Sequence, residues 1–243
     1  MSQNNNFKYS NALLLAPMVA ILSIWIVFWL EIKLGTNFNE FGIAPRKIIG
    51  LRGVIFSPFI HGSVEHLYNN TIPLAILIIT LFYFYSKEAF KVILFGILFS
   101  GLLTWCIGRP SHHIGASGLI YVLVSFVFFK GIFAKHYRLI ALSLAIVFLY
   151  GSMVWYVFPL KEGVSWEGHL SGFIVGLVFA FLFKVTTPVE KKYSWEKEGY
   201  KEEDDEFLKH FDADGNFIEN VENDTTNAIE ITYHYKKNKE QID

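Results

Sequence analysis

Apolar residues fall into six blocks along the chain, at 12–30, 66–85, 90–107, 115–129, 139–158 and 169–185. Each is close to the roughly 20 residues that cross a hydrocarbon core as a helix, the fourth being the shortest. The connectors are short except after the first block. There, residues 31–65 mix Phe41, Ile43, Ile48, Ile49, Phe56 and Phe59 with glycines and charges. A flexible linker carries fewer large apolar groups, so this loop is expected to pack on the bundle or lie in the membrane interface. The first block is longer than the core of a signal peptide, about 7–15 residues, and Glu31, Ile32 and Lys33 follow it in place of a small-residue cleavage site. It is expected to stay as a helix.

Beyond the sixth block the pattern turns polar. Glu202, Glu203, Asp204, Asp205 and Glu206 form an acidic run of the kind found on solvated faces and linkers. Loose alternation at 216–221 and 228–235 predicts a small hairpin. The expected organisation is a short N-terminal segment at 1–11, a membrane bundle at 12–186 and a charged C-terminal tail at 187–243.

Composition strengthens the membrane reading. Of the 243 residues, 53% are hydrophobic, and the mean hydropathy is +0.37. The predicted class is an all-α membrane protein with six transmembrane helices and a small polar tail. A formal net charge of −1 gives no reason to expect nucleic acid. With one cysteine, Cys106, no intrachain disulfide forms. Lys87, Lys91, Lys130, Lys135, Arg138, Lys184, Lys191 and Lys192 flank the even-numbered helices at their ends, against only Arg109 and Lys161 on the opposite connectors. This bias predicts a cell-membrane protein with both termini cytoplasmic, although Lys33, Arg46, Lys47 and Arg52 in the first loop oppose it. In the tail, Asp212, Asp214 and Asn216 do not have the spacing of a calcium loop, and no Glu stands at its twelfth position.

Polar groups inside a bilayer are costly and mark function. They gather near the first turns of the second, fourth and sixth helices: His66 and Asn70; Ser117 and Tyr121; His169, Gly172 and Gly176. With a cytoplasmic N-terminus these three helices all run inward, so their first turns share one level near the outer face. His66 and Asn70 are i and i+4, as are Ser117 and Tyr121, and each pair lies on one helix face. Gly172 and Gly176 are also four apart and let a neighbour approach closely, with Ser117 and Gly118 as its natural partner surface. A serine hydroxyl becomes a nucleophile when a base takes its proton. Ser117 as nucleophile and His169 as base form a dyad, since Glu162 and Glu167 are expected in solvent and no other acid is near. The Asn70 amide, the His66 ring and the Ser117 N–H are candidate donors to an oxyanion. Hydrolysis needs water, so the site is expected to be a polar cavity open to the outer face. His112, His113, His136, His210 and His234 are assigned to connectors or tail, with His112 and His113 exposed.

At these residues the chain resembles the rhomboid family of intramembrane serine proteases. The resemblance rests on Gly115-Ala116-Ser117-Gly118 with Tyr121, on Gly168-His169-Leu170-Ser171-Gly172 with Gly176, and on His61, His66 and Asn70. It implies the six-helix rhomboid-like bundle and cleavage of transmembrane protein substrates near the membrane surface, without metal or other cofactor. It implies that His66 and Asn70 hold the oxyanion and that Tyr121 packs against the histidine ring. Gly115 and Gly118 would leave room at the serine, Gly172 and Gly176 would allow the close helix crossing, and His61 matches a further family histidine. Many members carry a Trp-Arg pair in the first loop; here Leu51-Arg52 is the nearest candidate.

Two other classes compete. A non-catalytic, client-binding relative would keep the fold, but retention of both Ser117 and His169 argues against it. A metal-dependent hydrolase or transporter built on His61, Glu65, His66 and the other histidines fits poorly, because the spacing matches no zinc motif and the helices lack an intramembrane carboxylate. The sequence says nothing of oligomeric state.

Overall fold

The structure is a computed structural model that describes residues 11–184, 193–212 and 214–218. Each apolar block becomes one helix: α1 Ala12–Leu34, α2 Val64–Phe84, α3 Ala89–Ile107, α4 Ser117–Phe133, α5 Tyr137–Tyr150 and α6 Trp166–Leu182. α5 continues as a tighter 3₁₀ stretch, Gly151–Val157. Among the described residues there is no β-strand, only isolated bridges at Ile43–His113 and Phe211–Phe217. By length and composition, α1, α2, α3 and the continuous Tyr137–Val157 segment can each cross a membrane, whereas α4 and α6 are shorter apolar helices of 17 residues. The described elements are helical, and the chain is an integral membrane protein.

Local chemistry sets the helix starts. The Ser63 side chain accepts a hydrogen bond from the His66 N–H at 3.1 Å and caps α2, with Glu65 in the first turn complementing the helix dipole. Ser165 does the same for α6 through the Gly168 N–H. α1 ends on Gly35 in the left-handed conformation.

The core is apolar side chains between α2, α4 and α6, with Leu67, Leu77, Leu81, Val122, Leu123, Phe126 and Ala180 all enclosed. α4 sits at its centre. The helix pair α4–α6 meets backbone to backbone: a Cβ on Gly172 would lie 2.2 Å from the Gly118 carbonyl oxygen, and one on Gly176 would lie 2.3 Å from that of Val122. Both distances are far inside contact, so glycine is required at both positions. Ser125 adds a hydrogen bond from Oγ to the Phe173 carbonyl at 2.7 Å.

Lys130 differs from its expected place in a connector. It lies in the last turn of α4, is buried, and its ammonium donates to the carbonyls of Ala180 (2.9 Å) and Phe183. These belong to the end of α6, whose last carbonyls lack intrahelical partners, so the charge is satisfied there.

The first loop packs as expected. It folds through short turns at Asn39–Phe41, Ile48–Arg52, Gly53–Phe56 and Ser57–Phe59. Ile43 exchanges both backbone hydrogen bonds with His113 (2.9 Å each). Arg46 donates to the Gly108 carbonyl at 2.8 Å, and the Trp105 indole donates to that of Lys47 at 2.8 Å. Arg52 donates to the Glu40 carbonyl at 3.0 Å and covers the Phe41 ring. The loop still leaves Ile48, Ile49, Ile55 and Phe56 exposed, which suits an interfacial position.

The chain falls into two units, 1–188 and 189–243. Within the second, short 3₁₀ turns at Glu202–Asp204 and Leu208–His210 precede a loop in which Asp212 Oδ1 accepts from the N–H groups of Asp214 (3.0 Å) and Asn216 (2.8 Å). Most of the expected hairpin lies outside the described residues.

Candidate active site

Residue 115 must be glycine for two reasons. Its φ is +105°, and a Cβ there would sit 2.6 Å from His66 Nε2 and 3.6 Å from Asn70 Nδ2. The turn at Gly115 therefore brings the start of α4 against the first turns of α2, and it makes Ser117 the first residue of α4. The N–H groups of a helix's first turn have no intrahelical acceptor, and Ser117 is half-buried at that end.

Ser117 Oγ lies 2.9 Å from His169 Nε2. His169 Nδ1 lies 2.9 Å from the Tyr156 carbonyl oxygen. A carbonyl only accepts, so Nδ1 carries the proton and Nε2 presents a lone pair to the serine hydroxyl. The Tyr156 carbonyl, in the 3₁₀ stretch after α5, thus fixes the tautomer in the way a carboxylate does in a triad. Sequence reasoning missed this residue, because a backbone carbonyl leaves no side-chain signature.

The rings of Tyr121 and His169 stack at 4.3 Å with 12° between planes. The Tyr121 hydroxyl donates to the Met153 carbonyl at 2.6 Å, which fixes the face on which the imidazole rests. Asn70 is buried and donates one Nδ2 hydrogen to the His66 carbonyl at 3.1 Å.

His61 is 1% exposed and packs edge-on to the His66 ring at 5.0 Å. Its Nδ1 is 3.3 Å from the Phe59 carbonyl, so Nε2 is free to accept the Ala116 N–H at 3.5 Å. Burial, with a smaller contribution from neighbouring His66, pushes the His61 pKa down to about 4, which agrees with a neutral ring in this role.

The structure therefore brings Ser117, His169 and Tyr121 into one contact group and places His66, Asn70 and His61 beside Gly115 and Ala116. Gly118, Gly172 and Gly176 form the crossing beneath. A cavity of about 30 Å³, large enough for water, lies beside Ser117 with Ser100, Thr104 and Ser165 in its wall. Among the described residues, no three His, Cys, Asp or Glu side chains are grouped as metal ligands.

Two expectations are corrected. His113, expected to be exposed, is buried, with Nδ1 2.6 Å from Ser165 Oγ and Nε2 3.1 Å from the Arg109 carbonyl. Glu167, expected in solvent, is 1% exposed in the first turn of α6 and pairs with Arg109 at 3.1 Å. Both lie in segments that look like polar connectors, and only the fold over them encloses them. His112 is exposed, as expected.

Taken together, the fold defines an integral membrane protein whose polar side chains converge at the starts of three helices. Residues 50–185 match the Rhomboid domain, and the chain belongs to the rhomboid family. It is 36% identical over 187 residues to uncharacterized proteins of Mycobacterium bovis and Mycobacterium tuberculosis, covering 72% of this chain and 76% of those proteins. An uncharacterized protein of Mycobacterium leprae is 34% identical over 155 residues, covering 60% of this chain and 61% of that one.

Proposed function

We propose that the protein is an intramembrane serine endopeptidase that cleaves transmembrane segments of membrane proteins with a Ser117–His169 dyad. The observation that carries this reading is the pair of hydrogen bonds through His169, Ser117 Oγ to Nε2 and Nδ1 to the Tyr156 carbonyl. Family membership supports it, since rhomboid proteins are generally serine intramembrane proteases.

In this mechanism Ser117 Oγ attacks the scissile carbonyl carbon while its proton passes to His169 Nε2. The imidazolium is stabilised by the Tyr156 carbonyl and by the face of Tyr121. The negative oxygen of the tetrahedral intermediate takes hydrogen bonds from the second Asn70 amide hydrogen, the His66 ring N–H and the Ser117 N–H, at the positive end of α4. Collapse breaks the C–N bond as His169 returns the proton to the leaving amine. Water then attacks the acyl-serine with His169 again as base. Gly115 and Gly118 leave room for the acyl group, and Gly172 and Gly176 hold the helix carrying the base against the helix carrying the nucleophile.

All six helices cross the bilayer in this reading, with both termini cytoplasmic, the site opening to the outer face and residues 187–243 as a cytoplasmic tail. No cofactor takes part. The test is cleavage of a transmembrane substrate by the purified protein in liposomes. Cleavage by the wild type that is lost in both Ser117→Ala and His169→Ala supports the dyad; persistence in Ser117→Ala overturns it. Full biological function in both variants, without cleavage by any form, favours client binding instead.

A further inference from the structure

The dyad has a counterpart four residues back along both chain segments that takes no part in the chemistry described above. His113 precedes Ser117 by four residues and Ser165 precedes His169 by four. His113 Nδ1 and Ser165 Oγ are 2.6 Å apart, alongside the 2.9 Å of the dyad itself. The same two chain segments are thus joined twice, once by the reacting pair and once by a pair set back from it.

Further groups lock this second junction. The Arg109 carbonyl accepts from His113 Nε2 at 3.1 Å, so Nδ1 is the acceptor and the Ser165 hydroxyl donates to it. Ser165 Oγ in turn accepts the Gly168 N–H at 3.3 Å and so caps α6 at the residue before His169. Arg109 reaches the same helix: its Nη1 is 3.1 Å from Glu167 Oε2, its backbone N–H donates to Glu167 Oε1 at 3.0 Å, and its Nη2 donates to the Val164 carbonyl at 2.7 Å. Burial holds the His113 pKa down, so the ring keeps the lone pair that Ser165 needs.

A buried carboxylate is costly unless paired and hydrogen-bonded. Here Glu167 is placed two residues before the base, and its partner comes from the connector that delivers the nucleophile. A simple anchor for the connector needs no buried charge in the first turn of the helix that carries the base.

We propose that the Arg109–Glu167 ion pair and the His113–Ser165 hydrogen bond are positioning elements that set the Ser117–His169 distance. Their side chains make no hydrogen bond to Ser117 or His169, although His113 and Ser165 also line the cavity beside Ser117. They fix the two segments that hold those atoms, and small misplacement of a nucleophile and its base is enough to lower the rate of reaction by large factors. This rests on the protease reading given above.

The test compares wild type with Ser165→Ala, Ser165→Thr and Glu167→Gln, each purified and assayed in liposomes well below its own unfolding temperature. The readouts are kcat and KM for a transmembrane substrate and the rate of Ser117 modification by a fluorophosphonate. Expected for Ser165→Ala and Glu167→Gln is a fall of about tenfold or more in kcat and labelling rate, with KM within twofold of wild type. Ser165→Thr, which keeps the hydroxyl, restores most of the rate. Folded Ser165→Ala with unchanged kcat and labelling, or with raised KM and unchanged kcat, overturns the positioning role while the protease reading stands. A wild type that neither cleaves nor labels overturns both. Should Glu167→Gln fail to fold, the Ser165→Ala and Ser165→Thr pair decides alone.

Discussion

The longest helix, α1, and the closely crossed pair α4 and α6 are built differently. α1 has 23 residues and a mean hydropathy of 2.5 in its most apolar window, and it leaves Leu14, Leu15, Val19, Leu22 and Ile26 exposed. α4 and α6 have 17 residues each, and they cross backbone to backbone and carry every atom of the candidate dyad. At ~1.5 Å per residue, a 17-residue helix is about 25 Å long, short of the ~30 Å hydrocarbon layer. A helix of that length begins or ends below the surface. That is tolerable only where its first N–H groups line a polar cavity, and a catalytic site needs such a cavity for water. α1 is long, strongly apolar and widely exposed, whereas the small residues of α4 and α6 mark the helices that hold the candidate dyad.

The sharpest way to break this contrast is at the dyad. Ser117→Ala or His169→Ala is expected to lower cleavage by about 10³-fold or more, measured as kcat/KM in liposomes. Next is the crossing: Gly172→Val sets a Cβ 2.2 Å from the Gly118 carbonyl. It is expected to cost about 3 kcal/mol in stability and most of the activity, read by thermal unfolding in detergent alongside the cleavage assay.

Acid should act on the same end of α4. The His61 pKa is about 4 when folded against 6.5 in the unfolded chain. Between those values the unfolded chain binds a proton that the folded chain refuses. Stability is therefore full above pH 6.5, falls as pH drops through this window and levels off below pH 4, for a loss of roughly 3 kcal/mol. Unfolding temperatures measured across the window are expected to slope less in His61→Gln, and buried His113, shifted in the same direction, supplies part of the slope that remains.

Smaller still is Tyr121→Phe, which keeps the stack on His169 but loses the bond to Met153. A hydrogen bond of this kind is worth about 1 kcal/mol, so a fewfold fall in kcat is expected from steady-state kinetics. Val19→Ala on the exposed face of α1 completes the comparison, with a change within ~0.5 kcal/mol by thermal unfolding and unaltered cleavage.

Much of this was legible in the sequence, for a physical reason. Bilayer-length apolar blocks announce helices, and a polar side chain inside one is expensive enough to stand out, as Ser117, His169, His66 and Asn70 do. The spacing of Gly172 and Gly176 foretold the close crossing. The paired connectors were not legible. His113, Ser165, Arg109 and Glu167 lie where polar residues are ordinary, and their burial follows from the first loop and two connectors closing over one another. The Tyr156 carbonyl was hidden for a different reason: every residue has one, and only the turn after α5 aims it at His169. Lys130 was expected in the connector after the fourth helix; it lies in the last turn of α4, buried, where the carbonyls at the end of α6 provide its partners.

The most direct measurement of the central claim is covalent labelling of the membrane-embedded protein with a fluorophosphonate, followed by mass mapping of the adduct. The account predicts a single adduct on Ser117 that forms in the wild type and is absent in His169→Ala. An adduct on another residue, or labelling of Ser117 at the wild-type rate in His169→Ala, would contradict it.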